Sequence, residues 1–118
     1  MVRWNGSNYK HVFQTIYAVG NDTNTLVKIG RTQFTGKKRM ETMQGNSPVQ
    51  LRLLWETQAI GGYEKALHRF FYARRKHGEF FDFSGVQDVV VELQHAMKEI
   101  EAHQDDIWYK DCFGWWWD

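Results

Sequence analysis

The sequence predicts an α+β fold in which a small three-stranded antiparallel sheet is flanked by helices. Short runs rich in β-branched and aromatic residues indicate strands, and segments with apolar residues three or four apart indicate helices. These segments follow one another in the order β-β-α-β-α-α. The chain has 118 residues, a length that suits one hydrophobic core. We therefore expect residues 1–118 to form a single domain.

The first two strands are predicted to form a hairpin. Residues 12–19 and residues 25–30 are both β-branched and apolar, and residues 20–24 between them read Gly-Asn-Asp-Thr-Asn. Glycine, asparagine and aspartate favour turns because they accept the backbone conformations that turns need. Two such strands joined by a short polar turn are typical of an antiparallel pair.

A helix and a third strand follow the hairpin. Residues 37–44 begin with three basic residues and place Met40 and Met43 three apart, which predicts a short helix. Residues 49–56 alternate, which predicts a strand. One predicted face carries Val49, Leu51, Leu53 and Trp55, and the other carries Gln50, Arg52, Leu54 and Glu56.

Two more helices complete the predicted fold. The first opens at Gly61-Gly62 and runs to about Lys76, with Gly78 as the glycine that commonly follows a helix. A short aromatic segment follows at residues 79–83. Ser84 and Gln87 then form a capping-box pattern for the last helix, whose apolar stripe is Val86, Val89, Val90, Leu93, Met97 and Ile100.

Composition excludes several protein classes. The single cysteine, Cys112, excludes a disulfide scaffold and a zinc site built on paired cysteines. No apolar run approaches the length of a membrane-spanning helix, so no membrane association is expected. The first residues lack the apolar segment of a secretory signal, and the expected compartment is therefore the cytoplasm.

Charge is divided unevenly along the chain. Residues 1–78 carry 13 Lys and Arg against 4 Asp and Glu, whereas residues 79–118 carry 2 against 10. A basic body favours a polyanionic partner such as nucleic acid. The alternative is a gradient in which the two parts fold together and neutralise each other.

Two tripeptides on the first two strands resemble a known motif pair. Thr15-Ile16-Tyr17 and Lys28-Ile29-Gly30 are separated by ten residues and match four of the six letters of the GIY-YIG nuclease superfamily. Three further blocks follow in the order of one branch of that superfamily, found mainly in phage and bacterial proteins. Together with Lys28 to Thr32, these blocks are Arg39, Met40, Met43 and Gln44; Glu64, Leu67, His68 and Phe71; and Gly78 to Phe81.

The resemblance covers about residues 12–83, the motif-bearing core. Residues 84–118, which hold the last helix and an acidic tail rich in tryptophan, lie outside it. The resemblance implies a metal-dependent endonuclease that hydrolyses DNA phosphodiester bonds. Its catalytic residues would be Tyr17 beside the attacking water, Lys28 in place of a second tyrosine, Arg39 on the phosphate oxygens, and Glu64 holding one divalent ion, Mg²⁺ or Mn²⁺.

Other polar residues are candidates for supporting roles. Some family nucleases carry His or Tyr where this chain has Met43, which can neither transfer a proton nor bind phosphate. Gln44 and His68 are therefore possible accessory residues, although a histidine on a helix is more often a structural residue. The predicted contacts to the nucleic-acid backbone are Arg31, Lys37, Lys38, Arg69, Arg74, Arg75 and Lys76. For Arg69, Arg74, Arg75 and Lys76 the alternative is a solvated helix face, and for Arg31 it is a cap on the hairpin.

A rival hypothesis is a module that keeps the nuclease scaffold without efficient catalysis. It would bind nucleic acid or, through its tail, a protein. Three consecutive tryptophans cannot all point inward in a regular element, and exposed apolar patches commonly mark interfaces. Two arrangements of the tail stay open, a homodimer or protein contact and a fold back over the sheet, and both would use Trp115, Trp116 and Trp117.

Overall fold

A computed structural model describes residues 12–22, 25–103 and 112 of the chain. Within those residues, five antiparallel strands form one sheet in the order β3-β1-β2-β5-β4, accompanied by three helices. The α+β class holds, but the predicted three-stranded sheet is wrong. The elements are β1 (Phe13–Asn21), β2 (Leu26–Thr32), α1 (Gly36–Gln44), β3 (Leu51–Ile60), α2 (Gly62–Phe70), β4 (Arg75–His77), β5 (Phe80–Asp82) and α3 (Val89–Ala102).

The two additional strands occupy a stretch that was predicted as the end of a helix. Helix α2 ends at Phe70 rather than near Lys76, and a single 3₁₀ turn at Tyr72–Arg74 leads into β4. Gly78 has φ 55° and lies in the turn between β4 and β5, not after a helix. The sequence hides β4 because its three residues are all polar and all exposed, so no alternation marks it as a strand.

The predicted hairpin of β1 and β2 is confirmed, and its register brings the two tripeptides together. Tyr17 lies directly opposite Gly30, and Ala18 lies opposite Ile29. The Tyr17 ring covers Gly30 so closely that a Cβ added there would lie 2.6 Å from the tyrosine Oη. Only glycine fits this position without a shift of the ring.

A β-bulge changes the faces of β3. Ala18 pairs with Trp55, whereas the next residue, Val19, pairs with Leu53, so Leu54 has no counterpart on β1. An extra residue in one strand reverses the alternation on either side of it. As a result Leu54, predicted on the polar face, and Trp55 both pack against the core, and the predicted two faces of residues 49–56 are wrong.

The core lies between one face of the sheet and helices α2 and α3. Its fully buried members are Ile16, Ala18, Ile29, Ala66, Leu67, Phe81, Leu93, Ala96, Ile100 and Cys112. Helix α1 lies on the other face, because Lys28, which alternates with the buried Val27 and Ile29, contacts Met43 in that helix. The side chains of β2 therefore pack against the core on one face of the sheet and against α1 on the other.

Helix α3 begins later than its sequence predicts. Its N-cap is Asp88, whose side chain accepts a hydrogen bond from the Val91 backbone N–H. The predicted capping box of Ser84 and Gln87 is wrong, because Ser84 binds Asp82 instead. Asp is as good an N-cap as Ser, and Asp88 lies only four positions after Ser84.

Asp82 is expected to make the fold sensitive to acid. Hydrogen bonds from Ser84 and Thr25 lower the pKa of Asp82 from 3.8 to about 2. A carboxyl whose pKa is depressed by folding contributes stability above its unfolded pKa and loses it as pH falls towards the folded value. Wild type should therefore lose its stability advantage over Asp82→Asn between pH 3.8 and about 2.

Urea unfolding of both proteins across this interval provides the measurement. Asp88→Asn is the matched control, because Asp88, like Asp82, accepts a backbone hydrogen bond through its side chain. A constant difference between wild type and Asp82→Asn throughout the interval would contradict the prediction.

Candidate active site

Two carboxylates and one imidazole meet at the edge of strand β2. Glu64 and His68 are four residues apart in α2 and therefore share a side of the helix. Glu79 comes from the turn between β4 and β5. One ligand atom from each of the three lies within 4.8 Å of the others, and all three residues are partly buried. Such a set could hold a metal ion.

Glu79 is held in place by the two strands that the sequence did not predict. Phe80 pairs with Lys28 across β5 and β2, and the Ile29 backbone N–H donates to the Glu79 carbonyl at 3.0 Å. The side chain of Lys28 then lies 3.5 Å from the Glu79 carboxylate, measured from Nζ to Oε2. Glu79 stood inside the Gly78 to Phe81 block, yet sequence reasoning assigned it no role. Its position in a turn just before an aromatic run was the available signal.

Burial and the neighbouring Glu79 favour the protonated form of Glu64. Burial, followed by the charge of Glu79, raises the pKa of Glu64 from 4.5 to about 7. Arg31, whose Nε lies 3.6 Å from Glu64 Oε1, and Lys28 act in the opposite direction. The Glu64 side chain is 12% exposed. A partly buried acid pair of this kind is stabilised by a proton or by a cation.

His68 is oriented by the backbone of β2. Its Nε2 lies 2.7 Å from the Ile29 carbonyl oxygen, and because a carbonyl only accepts, Nε2 carries the hydrogen. Burial lowers the pKa of His68, which favours the neutral ring with a lone pair on Nδ1. Histidines that bind metals are commonly oriented in this way by a backbone carbonyl.

The other three predicted catalytic residues lie on the α1 side of the sheet. Lys28 and Arg39 line one cavity together with Met43, and Lys28 Nζ is 3.4 Å from the Met43 sulfur. The Tyr17 side chain is 1% exposed and lies over Gly30. Lys28 thus connects the two sides, since its ammonium group faces both the cavity and Glu79.

This arrangement of residues is carried by a domain of a known family. The T5orf172 domain matches residues 14–101. The chain belongs to the T5orf172 domain family. This family is phage-associated and nuclease-like. The match runs from β1 to the end of α3 and so extends beyond the motif blocks, which end at Phe81. No curated protein and no solved structure matches the chain.

Part of the basic surface of this T5orf172 domain forms a groove beside the carboxylates. Arg69 and Arg75, both predicted contacts, line it with His68. Lys65 and Tyr72 complete the lining; sequence reasoning missed Lys65, although it lies one helical turn before Arg69. The groove joins the carboxylate cluster through His68, which belongs to both.

Other basic residues of the T5orf172 domain are bound to the protein itself. Arg74 donates to the Asp82 carbonyl at 3.3 Å and lies over the Phe83 ring, and Lys76 lies 4.0 Å from the Asp82 carboxylate. Lys37 and Lys38 are exposed at the start of α1, away from the groove. Arg75 of the groove is held in the same way as Arg74, since its Nε donates to the Gly78 carbonyl at 2.9 Å.

Two further predicted residues have structural partners. The Gln44 amide donates to the Val49 carbonyl at 2.8 Å and accepts from the Leu51 N–H at 2.6 Å, so it fastens the loop before β3. Arg31 donates to Gln14 Oε1 at 3.1 Å in addition to its contact with Glu64. Trp115, Trp116 and Trp117 lie outside the described residues. No helix in the described ranges is long and apolar enough to cross a membrane.

Proposed function

We propose that this T5orf172 domain is a metal-dependent endonuclease that hydrolyses DNA phosphodiester bonds at a site of GIY-YIG type. The observation that carries the proposal is the cluster of Glu64, His68 and Glu79, whose ligand atoms lie within 4.8 Å of one another. A partly buried acid pair is unfavourable for stability, so its presence beside strand β2 favours a functional role. Membership of a nuclease-like family supports the same conclusion.

The donor set fits one divalent ion, Mg²⁺ or Mn²⁺. Carboxylates suit both ions, and the imidazole of His68 is better suited to Mn²⁺. Glu64 and Glu79 would hold the ion, and His68 would contribute Nδ1. Bound there, the ion would supply positive charge for the pentavalent phosphorus and the leaving oxygen. The raised pKa of Glu64, caused by burial and by Glu79, fits a site that exchanges a proton for a cation.

The remaining residues would bind and orient the DNA phosphate. The Arg39 guanidinium, at the wall of the cavity that it shares with Lys28, would hold two non-bridging oxygens in its planar fork. Lys28 would place its ammonium charge between that phosphate and Glu79. Tyr17 would orient the attacking water through its hydroxyl, with its ring fixed by burial. Flanking phosphates would lie along the groove of Lys65, Arg69 and Arg75.

Cleavage of supercoiled plasmid tests the proposal. Wild type should nick the plasmid with Mg²⁺ or Mn²⁺ and not in EDTA. Glu64→Ala should lower the rate by more than about 100-fold, because even the outer partners of metal ligands are worth about 10–100-fold. Glu92→Ala, at an exposed acid on α3, is the matched control and should cleave like wild type. Metal-independent cleavage, or full activity in Glu64→Ala, would contradict the proposal.

A second candidate function is nucleic-acid binding without efficient cleavage. The observation that favours it is the contact of Lys28 with the Met43 sulfur, a position where a proton-transferring side chain would help hydrolysis. Binding of DNA by folded wild type with no cleavage under any metal condition would favour this function. In that case Arg69→Ala and Arg75→Ala should weaken binding and reduce its salt dependence.

A further inference from the structure

A cavity of about 420 Å³ opens beside the candidate site on the α1 side of the sheet. Its walls are mainly apolar, and Lys28 and Arg39 lie in the same lining. The apolar side chains of the lining include Val19, Leu26, Val49, Leu51 and Phe80. A volume of this size lies within the range of about 300–1,000 Å³ typical of small-molecule sites. The cavity is separate from the metal cluster, because Glu64, His68 and Glu79 are not among its lining residues.

The lining combines an accessible aromatic ring with two cations. Phe80 is 37% exposed and lies directly opposite Lys28 in the register of β5 and β2. Residues directly opposite in an antiparallel pair share a face of the sheet, so the Phe80 and Lys28 side chains leave neighbouring strands on the same face. Arg39 faces the same space from α1.

This combination fits one nucleotide. A nucleotide joins a flat apolar base to a phosphate over a short distance, and the cavity joins an apolar space with an aromatic wall to Lys28 and Arg39. We propose that the cavity receives one unstacked base of the nucleic-acid substrate, against Phe80. The assignment rests on the proposed nuclease site, because Lys28 and Arg39 belong to both.

The assignment also defines the substrate class. Bases inside a regular duplex are covered by their stacked neighbours and cannot enter a cavity, so the strand must be single or the base must be displaced from the helix. The phosphate next to the inserted base would lie at Lys28, whose ammonium is 3.5 Å from the Glu79 carboxylate. The preferred substrate is therefore single-stranded DNA or DNA with an unpaired base at the cut.

Binding in EDTA separates this inference from catalysis. The probe is a single-stranded oligonucleotide with 2-aminopurine at one position, together with the same strand in a duplex. Wild type should bind the single strand more tightly and change the fluorescence of the probe. Phe80→Ala should weaken single-strand binding by about 5- to 150-fold, the range expected for the loss of one base–aromatic stack, and abolish the fluorescence change.

Phe70→Ala is the matched control, because Phe70 is 40% exposed and, like Phe80, has one described aromatic ring contact. It should bind like wild type. Val49→Trp, which fills the cavity from another side, should reproduce the loss seen in Phe80→Ala, and thermal unfolding checks that each variant is folded. Equal binding of single strand and duplex, or unchanged binding in both Phe80→Ala and Val49→Trp, would overturn the inference.

The two proposals fail in different ways. If plasmid cleavage requires metal and Glu64, but single-strand binding is unchanged in Phe80→Ala, the nuclease proposal is supported and the base cavity is not. Binding that needs Phe80, combined with no cleavage of any substrate, would leave the cavity assigned and remove the nuclease.

Discussion

Glu64→Gln is expected to have a larger free energy of unfolding than wild type in EDTA above about pH 7, while losing metal-dependent cleavage. In wild type at this pH the carboxylate must ionise in a partly buried place next to Glu79, and these two causes raise the pKa of Glu64 to about 7. Gln has almost the same shape and no charge, so it keeps the packing and removes the repulsion. A residue that served stability alone would show the opposite sign.

The stability gained in Glu64→Gln depends on pH because folding raises the pKa of Glu64. Below pH 4.5 the carboxyl is protonated in both the folded and the unfolded state, so charge makes no difference there. Between pH 4.5 and about 7 the unfolded chain ionises and the folded chain does not, so wild type loses stability as pH rises. Above about pH 7 the gain should be constant, at up to about 3 kcal/mol given about 1.4 kcal/mol for each pKa unit.

Urea unfolding of wild type and Glu64→Gln across this pH range provides the measurement. Glu92→Gln, at an exposed acid of α3, should show no such gain. Added Mg²⁺ or Mn²⁺ should stabilise wild type and not Glu64→Gln, because a ligand stabilises only the state that binds it. A Glu64→Gln protein that is less stable than wild type at every pH would mean that the carboxylate supports the fold, and the main support for the metal site would be lost.

Sequence patterns predicted the parts of the fold in which local signals agree with the final packing. The β-branched and apolar residues of β1 and β2 and the turn residues between them indicated the hairpin, and the motif spacing matched a register with Tyr17 opposite Gly30. Helix α1 was predicted within one residue of its observed start, Gly36. In each case the information lies within a short window of the chain.

The missed features depend on pairing between segments rather than on the residue pattern of one segment. Strand β4 has three polar residues and is a strand only because β5 pairs with it. The position of Glu79 depends in turn on that hairpin and on the pairing of β5 with β2. The bulge that turns Leu54 towards the core is a mismatch between two strands, which neither strand reveals alone. The sequence therefore predicted one carboxylate of the pair, Glu64, and not the other, Glu79.

Gly30→Ala is expected to destabilise the protein by about 1–3 kcal/mol or more, the usual effect of overpacking a core. A Cβ at position 30 would lie 2.6 Å from the Tyr17 Oη and 2.7 Å from its Cζ. Both atoms belong to a rigid ring that is 1% exposed, so the ring must move as a whole. Since Tyr17 is a proposed catalytic residue, Gly30→Ala should lower cleavage as well as stability.

Gly45→Ala is the control for this substitution, because Gly45 has φ −59° at the end of α1 and a Cβ there would meet only Thr42 O at 3.6 Å. Its free energy of unfolding should equal that of wild type or be slightly larger. Tyr17→Leu combined with Gly30→Ala should be less destabilised than the sum of the two single variants, because contacting residues are coupled. Additive effects would mean that the ring does not cause the loss. Coupling would mean that Gly30 allows the Tyr17 ring to lie flat on the neighbouring strand. The two tripeptides would then form one packed unit, rather than making two separate contributions to the chemistry.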